Sequence, residues 1–195
     1  MPALDDCSLD QLFRNARSYN RFTDAPVTDA DLAAIWEVMK YGPTSANCLP
    51  ARIVWARSTE AREQLAGLAS AANGKKIMSA PVTAIIGMDM AFYELLPELF
   101  PHADAKSWFT GNDAMIAVTA MRNSSLQGAY LMLAARALGF DTGPMSGFDN
   151  AGVDAAFFDG TTIKSNFICT LGRGDPASVF ERLPRPAFGR FNSVV

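Results

Sequence analysis

The stretch "GPTSANCLP", residues 42–50, joins a helical pattern to a strand pattern and is longer than that connection requires. Its two prolines restrict the backbone, and Thr44, Ser45 and Asn47 supply side chains that hydrogen-bond either locally or to a ligand. The alternative interpretation is a structural turn in which Asn47 acts as a cap. The stretch predicts a rigid polar loop, and the elements around it decide where that loop lies.

Helical spacing precedes this stretch, and strand patterns follow it. Thr28 and Asp31 resemble a capping box, and a helix that begins there is stopped by Gly42 and Pro43. After the stretch, the pattern predicts a strand at 51–58, a helix at 59–72 opened by Thr59, and a buried strand at 80–89. Further on it predicts a helix at 114–138, a loop at 139–149, a short helix at 153–158 and a strand at 162–175. Helices outnumber strands without regular βα alternation, which indicates one α+β domain, residues 1–195, around a modest sheet.

The predicted helix at 114–138 is apolar on nearly all sides and rich in Ala, Ser and Gly. Such a helix is buried either in the core of one chain or between subunits, and its small polar face favours a homodimer. The last segment, residues 176–195, is rich in Pro and Arg but too apolar for a free linker. We expect it to pack as an extended arm.

Composition narrows the function classes. The chain has 195 residues, 49% of them hydrophobic, and a net charge of -3 without any block of five like charges, which argues against disorder and against nucleic-acid binding. The acidic amino-terminal residues and the absence of an apolar run near the roughly 20 residues that span a bilayer predict a cytoplasmic protein with no membrane contact. With three scattered cysteines and one histidine, we expect no disulfide framework, metal site or Ser-His-Asp triad. Any chemistry is then expected from a cofactor.

Four separate stretches are dense in groups that bind an anion or a polar heterocycle. They are "ARSYNRF" at 16–22, "GPTSAN" at 42–47, "NGKK" at 73–76 and "GPMSG" at 143–147. In the first, Arg17, Ser18, Asn20 and Arg21 lie close together, and strand-like alternation places Arg17 and Arg21 on one face. A phosphate needs such a combination of cation and hydroxyl. Taken alone, this stretch is more typical of a surface arginine cluster.

Together and in this order, the four stretches resemble the nitroreductase family of flavoproteins. The family patterns "RSxxxF", "PSSxNxQPW", "NxxKxxxAP" and "GLxSxPIxGF" surround one flavin mononucleotide (FMN). They correspond here to Arg17-Ser18 with Phe22, to 43–47, to 73–81 and to 139–148. The resemblance implies a nitroreductase-like fold with a central, mostly antiparallel sheet flanked by helices. It also implies an intertwined homodimer with the flavin at the subunit interface and the arm at 176–195 packed on the partner.

The resemblance also implies the flavin contacts. Arg17 and Ser18, completed by Arg182 or Arg185, correspond to phosphate contacts, and the Lys76 ammonium corresponds to a group that stabilises negative charge on the ring. The remaining implied contacts are Asn20, Pro43, Thr44, Ser45, Asn47, Asn73, Asn123, Pro144, Met145, Ser146 and Gly147. Hydride passes through the flavin N5 atom, so no side chain is predicted to be catalytic. The chain departs from the family pattern at Asn20, often basic, and at Leu49 and Ala51, often Gln and Trp.

The match extends further to one branch, the malonic semialdehyde reductases of pyrimidine breakdown, in which "GPTSAN", "FPHxDAxSWF", "RNSSLQ" and "TGPMSGFD" occur. It implies ping-pong reduction of malonic semialdehyde to 3-hydroxypropanoate by NADPH or NADH. By composition alone, His102, Lys106 and Arg122 are candidate contacts for the substrate carboxylate. Two alternatives stay open, a broad NAD(P)H nitro or quinone reductase and a flavin-binding module without turnover.

Overall fold

The computed structural model describes residues 2–195, which form one antiparallel sheet with helices on both faces. Its strands are β1 (Ala51–Ala56), β2 (Val82–Asp89), β3 (Asp141–Met145) and β4 (Ile163–Gly172). Their order is β1-β2-β4-β3, and every neighbouring pair is antiparallel. The predicted α+β domain with a mostly antiparallel sheet is confirmed.

The helices are α1 (Asp6–Leu9), α2 (Asp29–Met39), α3 (Thr59–Gly67), α4 (Ala71–Ser79), α5 (Leu96–Leu99), α6 (Asp113–Ala137), α7 (Asn150–Phe157) and α8 (Phe188–Phe191). A π-helical turn, Asp10–Arg14, continues α1, and short 3-10 turns occur at Ser45–Asn47, Phe92–Leu95, Ala105–Trp108 and Pro176–Ser178. Within residues 2–195, no helix combines the length and hydropathy needed to cross a bilayer.

The sheet separates two apolar cores because successive strand residues point to opposite faces. Val82, Ala84 and Ile86 of β2 pack with α2 and α6 on one face. Ile85, together with Met145 of β3, packs on the other face with α3, α4 and α7. The long helix α6 and the helix α4 therefore lie on opposite sides of the sheet.

A third core lies beyond one end of the sheet. It joins Cys48 of the 42–50 loop to Phe92, Phe109 and Ile116, so the excursion between β2 and α6 packs against the first half of α6. The backbone bond from the Asp89 amide to the Pro50 carbonyl, at 2.9 Å, fixes this unit to the end of β2. The 42–50 loop is thus held between a helix and a well-packed excursion.

The capping box at Thr28 is confirmed, since the Thr28 hydroxyl and the Asp31 carboxylate each accept from the other's backbone amide. The prediction of one continuous helix over 59–72 is wrong. That helix is capped by Ser58 instead of Thr59, and it ends at Gly67. A second helix, α4, begins after Ser70, whose hydroxyl accepts from the third amide of the new helix.

The prediction of a loop at 139–149 is also wrong, because β3 runs through it. Gly143 and Pro144 are poor strand formers, yet β3 is an edge strand, where a missing N–H costs no ladder bond. A Cβ on Gly143 would lie 2.5 Å from the Thr170 hydroxyl and 2.8 Å from the Tyr19 carbonyl. Close packing against both neighbours therefore requires glycine here.

The predicted long helix is confirmed as α6, but its first half is not covered within one chain. Met115, Val118, Met121 and Leu126 are each 41–53% exposed. Residues 180–195 are exposed throughout and mostly irregular, apart from the single turn of α8. The apolar half of α6 and the apolar tail are both uncovered surfaces.

Candidate functional site

Three residues of the 42–50 loop other than glycine have their backbone in the left-handed region. The φ angles are +49° at Ala46, +51° at Asn47 and +38° at Leu49. For an alanine or a leucine, this conformation costs roughly 1 kcal/mol relative to the right-handed region. Strain of this kind persists only where surrounding contacts fix the backbone, and it is typical of ligand-binding loops.

Helix α6 supplies those contacts. The Asn123 side-chain oxygen accepts from the Ser45 amide at 2.8 Å, and the Gln127 side-chain oxygen accepts from the Ala51 amide at 2.8 Å. The Tyr130 hydroxyl donates to the Pro43 carbonyl at 2.9 Å. The sequence predicted Asn123 as a flavin contact, and it assigned no role to Gln127 or Tyr130.

Inside the loop, the side chains divide into structural and free groups. The Thr44 hydroxyl accepts from the Leu49 amide at 3.2 Å, and the Asn47 amide donates to the Leu99 carbonyl at 2.8 Å. Cys48 is fully buried, and burial raises the pKa of its thiol to about 11, so it packs as a neutral group. The Ser45 hydroxyl is exposed and makes no hydrogen bond with any of residues 2–195. It is the free donor of this loop.

A pair of guanidinium groups lies at the other edge of the sheet. The segment around Ser18 runs beside Thr142 of β3, with the Tyr19 amide donating to the Thr142 carbonyl at 3.2 Å. Arg17 donates to the Phe180 carbonyl. Arg182 donates to the carbonyls of residues 14 and 16, at 2.6 and 3.0 Å. Arg17 and Arg182 thereby fasten the same two segments, residues 14–17 and 180–182, to each other.

Neither guanidinium in this pair has a carboxylate partner among residues 2–195, so their charges are uncompensated. Arg185 lies differently, because its guanidinium folds back onto the carbonyls of Leu183 and Pro184. Asn20 donates to the Ser178 carbonyl at 2.9 Å and so helps to fasten the tail to this edge. The arrangement suits a phosphate, which binds cationic donors that have no competing anion.

The turn after β3 is fastened to the first turn of α4. The Gly147 carbonyl accepts from the Ser70 amide at 3.0 Å and from the Asn73 side chain at 3.1 Å. A Cβ on Gly147 would lie 2.8 Å from that Asn73 nitrogen, so the close approach needs glycine. One turn further along α4, Lys76 is half-buried and has no carboxylate partner among residues 2–195. At the end of β3 and in the turn that follows it, Pro144 and Ser146 are exposed, whereas Met145 is buried in the core.

Within one chain, the predicted flavin contacts fall into two groups. The β3-edge group contains Arg17, Ser18, Asn20, Asn73, Lys76, Pro144, Met145, Ser146, Gly147 and Arg182. The loop group contains Pro43, Thr44, Ser45, Asn47 and Asn123. The loop leads into β1 and the other group surrounds β3, and these edge strands are three inter-strand steps, about 14 Å, apart. One chain therefore does not bring the two groups together.

The three candidate substrate contacts lie on the side of the loop group. Lys106 forms an ion pair with Glu94, and the ring of His102 packs on Phe100 with centroids 3.8 Å apart. Arg122 is exposed on α6 next to Asn123, without a carboxylate partner among residues 2–195. Of the three, Arg122 has the freest positive charge.

The donor set fits a flat polar ring that carries a phosphate. Uncompensated guanidiniums and a hydroxyl suit the phosphate, and the Asn73 amide, the Lys76 ammonium and the backbone at Gly147 suit a ring with several acceptors. Among residues 2–195, no group of three or more His, Cys, Asp or Glu side chains is placed to hold a metal ion.

Comparison with known sequences points to one protein family. The Nitroreductase family profile matches residues 13–173. A candidate NADH dehydrogenase/NAD(P)H nitroreductase of Burkholderia lata is 62% identical over 185 residues, 95% of each chain. A candidate protein of the same description from Ralstonia pickettii is 61% identical over 184 residues, 93% of this chain and 94% of the relative.

Solved structures agree on the fold. A candidate nitroreductase of Bacillus subtilis has a TM-score of 0.89 at 23% identity, over 98% of this chain and all of the other. A candidate nitroreductase of Exiguobacterium sibiricum, in complex with FMN, has a TM-score of 0.86 at 20% identity, over 100% of this chain and 99% of the other. At these identities the likeness concerns the fold, whereas the profile and the relatives at about 60% identity concern descent. The chain belongs to the nitroreductase family.

Proposed function

We propose that the protein is an FMN-dependent NAD(P)H oxidoreductase. The observation that carries the proposal is the β3-edge group, in which Arg17 and Arg182 fasten the same two segments without a carboxylate partner and Asn73 is fixed on Gly147. The descriptions of the relatives as NAD(P)H nitroreductases and the FMN complex of the Exiguobacterium protein support the same cofactor and donor.

Bound FMN would supply the two-electron carrier that takes hydride from a nicotinamide coenzyme and passes it to an acceptor. In this proposal Arg17, Ser18 and Arg182 hold the phosphate, and Arg182 takes that role over Arg185 because it is anchored to the segment that carries Arg17. Asn73 holds the polar edge of the ring. The Lys76 charge stabilises negative charge there, since no carboxylate of residues 2–195 neutralises it.

A homodimer is part of the proposal, because a second chain would bring a loop group to each β3-edge group. Two uncovered apolar surfaces support it. One is the exposed first half of α6, and the other is the tail, in which Phe180, Leu183, Phe188 and Phe191 are 68–78% exposed. The arm at 176–195 would then pack on the partner subunit. Sedimentation at micromolar concentration should give twice the 21.0 kDa chain mass, and a monomer would contradict the shared site.

For the acceptor we propose malonic semialdehyde, a small aldehyde whose carboxylate needs a cation. Arg122 supports this, since its guanidinium is exposed beside Asn123 of the loop group. The Michaelis constant for the aldehyde should rise in Arg122→Ala, and less in Lys106→Ala, because Glu94 already neutralises Lys106. His102→Ala tests the third candidate, whose ring packs on Phe100. Unchanged Michaelis constants in all three variants would refute a carboxylate contact from these residues.

One observation favours the second candidate, a broad nitro or quinone reductase. Phe100 and Trp108 have ring centroids 6.0 Å apart near the loop group, and Trp108 is 48% exposed. Exposed aromatic rings favour flat acceptors, which stack on them.

The deciding experiment is an anaerobic absorbance titration of the purified protein, first with NADH and NADPH and then with an acceptor. Bleaching of the flavin by a coenzyme, followed by recovery with malonic semialdehyde, is the expected result. Recovery only with a nitroaromatic or a quinone would favour the second candidate. A yellow protein that neither coenzyme bleaches would be a flavin-binding module without turnover, and a protein that takes up no FMN would refute the proposal.

A further inference from the structure

A polar cleft of about 530 Å³ lies at the end of α4 that is remote from Gly147. Its walls come from residues 21–24 of the amino-terminal segment, Arg62 of α3, residues 78–81 and Asp175. Ser79, the last residue of α4, lines the cleft. It is six residues beyond Asn73, which corresponds to about 9 Å along the helix. The cleft shares no lining residue with the β3-edge group, and its volume lies within the range of small-molecule sites.

Arg62 is the dominant charge in this cleft. One of its terminal nitrogens, Nη1, donates to the carbonyls of Met78 and Ala80, at 3.2 and 3.0 Å, which holds the guanidinium in place. The buried Nε atom has no partner, and Nη2 makes no hydrogen bond with any of residues 2–195. No carboxylate among those residues pairs with Arg62 either. The side chain is an oriented cation with unused donors, which favours an anionic ligand.

The acids of the cleft do not cancel this charge. Asp175 pairs with Arg21 at 3.2 Å and also accepts from the Ala177 amide at 2.9 Å, so its charge is already compensated. Asp24 is exposed at the rim, where water and salt screen its effect. The Thr23 hydroxyl accepts one long hydrogen bond, from the Ala25 amide at 3.4 Å. Its own proton is therefore free to be donated to a ligand.

An apolar wall stands beside these donors. Met78 is 37% exposed, and Pro81 lies next to it in the lining of the cleft. We propose that the cleft binds a small organic anion, whose phosphate or carboxylate is held by Arg62 and Thr23 and whose apolar body lies on Met78 and Pro81.

Amide chemical shifts of the full-length protein, purified with whatever cofactor it holds, provide the test. Phenyl phosphate and benzoate share an aromatic body and differ in the anionic group, whereas inorganic phosphate has no apolar body. We expect at least one aromatic anion to shift the amides of Thr23 and Ala80 in a saturable way and to bind more tightly than inorganic phosphate. The tighter of the two identifies the anionic group.

Arg62→Gln should weaken that binding about tenfold, equivalent to about 1.4 kcal/mol. Arg57→Gln makes the same change in net charge at an arginine that Asp29 already pairs, at 2.7 Å, and should leave the affinity unchanged. Met78→Ala removes the apolar wall but keeps the Arg62 hydrogen bonds, which go to backbone carbonyls. It should weaken the binding of the aromatic anion, and it tests the cleft even if Arg62→Gln fails to fold. Equal affinity in Arg62→Gln and Arg57→Gln, saturable shifts confined to other amides, or inorganic phosphate bound as tightly as the aromatic anions would overturn the proposal.

Discussion

The hydrogen bond from the Asn73 side chain to the Gly147 carbonyl holds α4 against the turn after β3, and a single substitution tests this. Gly147→Ala adds a methyl group 2.8 Å from the Asn73 side-chain nitrogen, closer than such atoms approach in real structures. We expect the flexible Asn73 side chain to rotate away, which breaks its 3.1 Å hydrogen bond to the Gly147 carbonyl. A bond of this kind contributes about 1 kcal/mol to stability.

For a chain of this length, about 1 kcal/mol lowers the melting temperature by about 2–4 °C. The matched control is Gly67→Ala, the same substitution at the last residue of α3, where nothing lies within 4 Å of the added methyl group. Replacing a helical glycine by alanine stabilises a helix by about 0.5–1 kcal/mol. The two variants should therefore shift the melting temperature in opposite directions.

Calorimetry measures the stability, and fluorescence quenching of added FMN measures the affinity. In Gly147→Ala both should fall, because Asn73 is displaced from the edge of the site. In Gly67→Ala the FMN affinity should stay unchanged. If Gly147→Ala melts at the wild-type temperature and binds FMN equally well, the turn after β3 adapts freely, and our account of a fixed Asn73 is wrong.

Further predictions concern the loop group and the thiols. Asn123→Leu leaves the Ser45 amide without its 2.8 Å acceptor and should lower the free energy of unfolding by about 1 kcal/mol in urea, whereas Asn15→Leu, at an exposed position, should change it by less than about 0.5 kcal/mol. Equal effects would mean that α6 does not hold the loop. A thiol reagent at neutral pH should label Cys7 alone in the native protein and all three cysteines in denaturant, since Cys48 and Cys169 are buried. Burial raises the pKa of these two thiols to about 11 and about 12, from a usual 9.0. Their contribution to stability should be complete below pH 9 and decline as the pH rises toward 11, and a urea midpoint that is identical at pH 8 and pH 10.5 would contradict that contribution.

The sequence predicted the elements whose own residues determine them. The capping box at Thr28 and the helical spacing after it define α2, and the apolar run after Pro81 defines β2. The long helix was predicted within one residue of α6 at each end. These elements carry their start signals and their periodicity within a single window of sequence.

Elements that depend on distant contacts were not predictable in the same way. Gly143 and Pro144 argue against a strand, yet β3 forms by pairing with β4, and glycine is the residue that fits between Tyr19 on one side and Thr170 on the other. The separation of the site into two groups depends likewise on the strand order. The four stretches that we expect to bind the flavin follow one another along the chain, and nothing in them indicates that β1 and β3 lie at opposite edges of the sheet.

The residues that support the strained loop can be recognised in the sequence, but they lie in α6 and not in the loop itself. Asn123, Gln127 and Tyr130 follow one another at i, i+4 and i+7, the spacing that places side chains on one helix face. Each of them forms a side-chain hydrogen bond with the backbone of residues 43–51. A buried amide in an apolar helix is costly unless it is paired, so two such amides on one face require acceptors or donors from a neighbouring segment. The left-handed backbone at Ala46 and Leu49 raises the free energy of the loop. The hydrogen bonds from α6 offset this cost. A polar face on an otherwise apolar helix thus indicates which strained segment that helix holds.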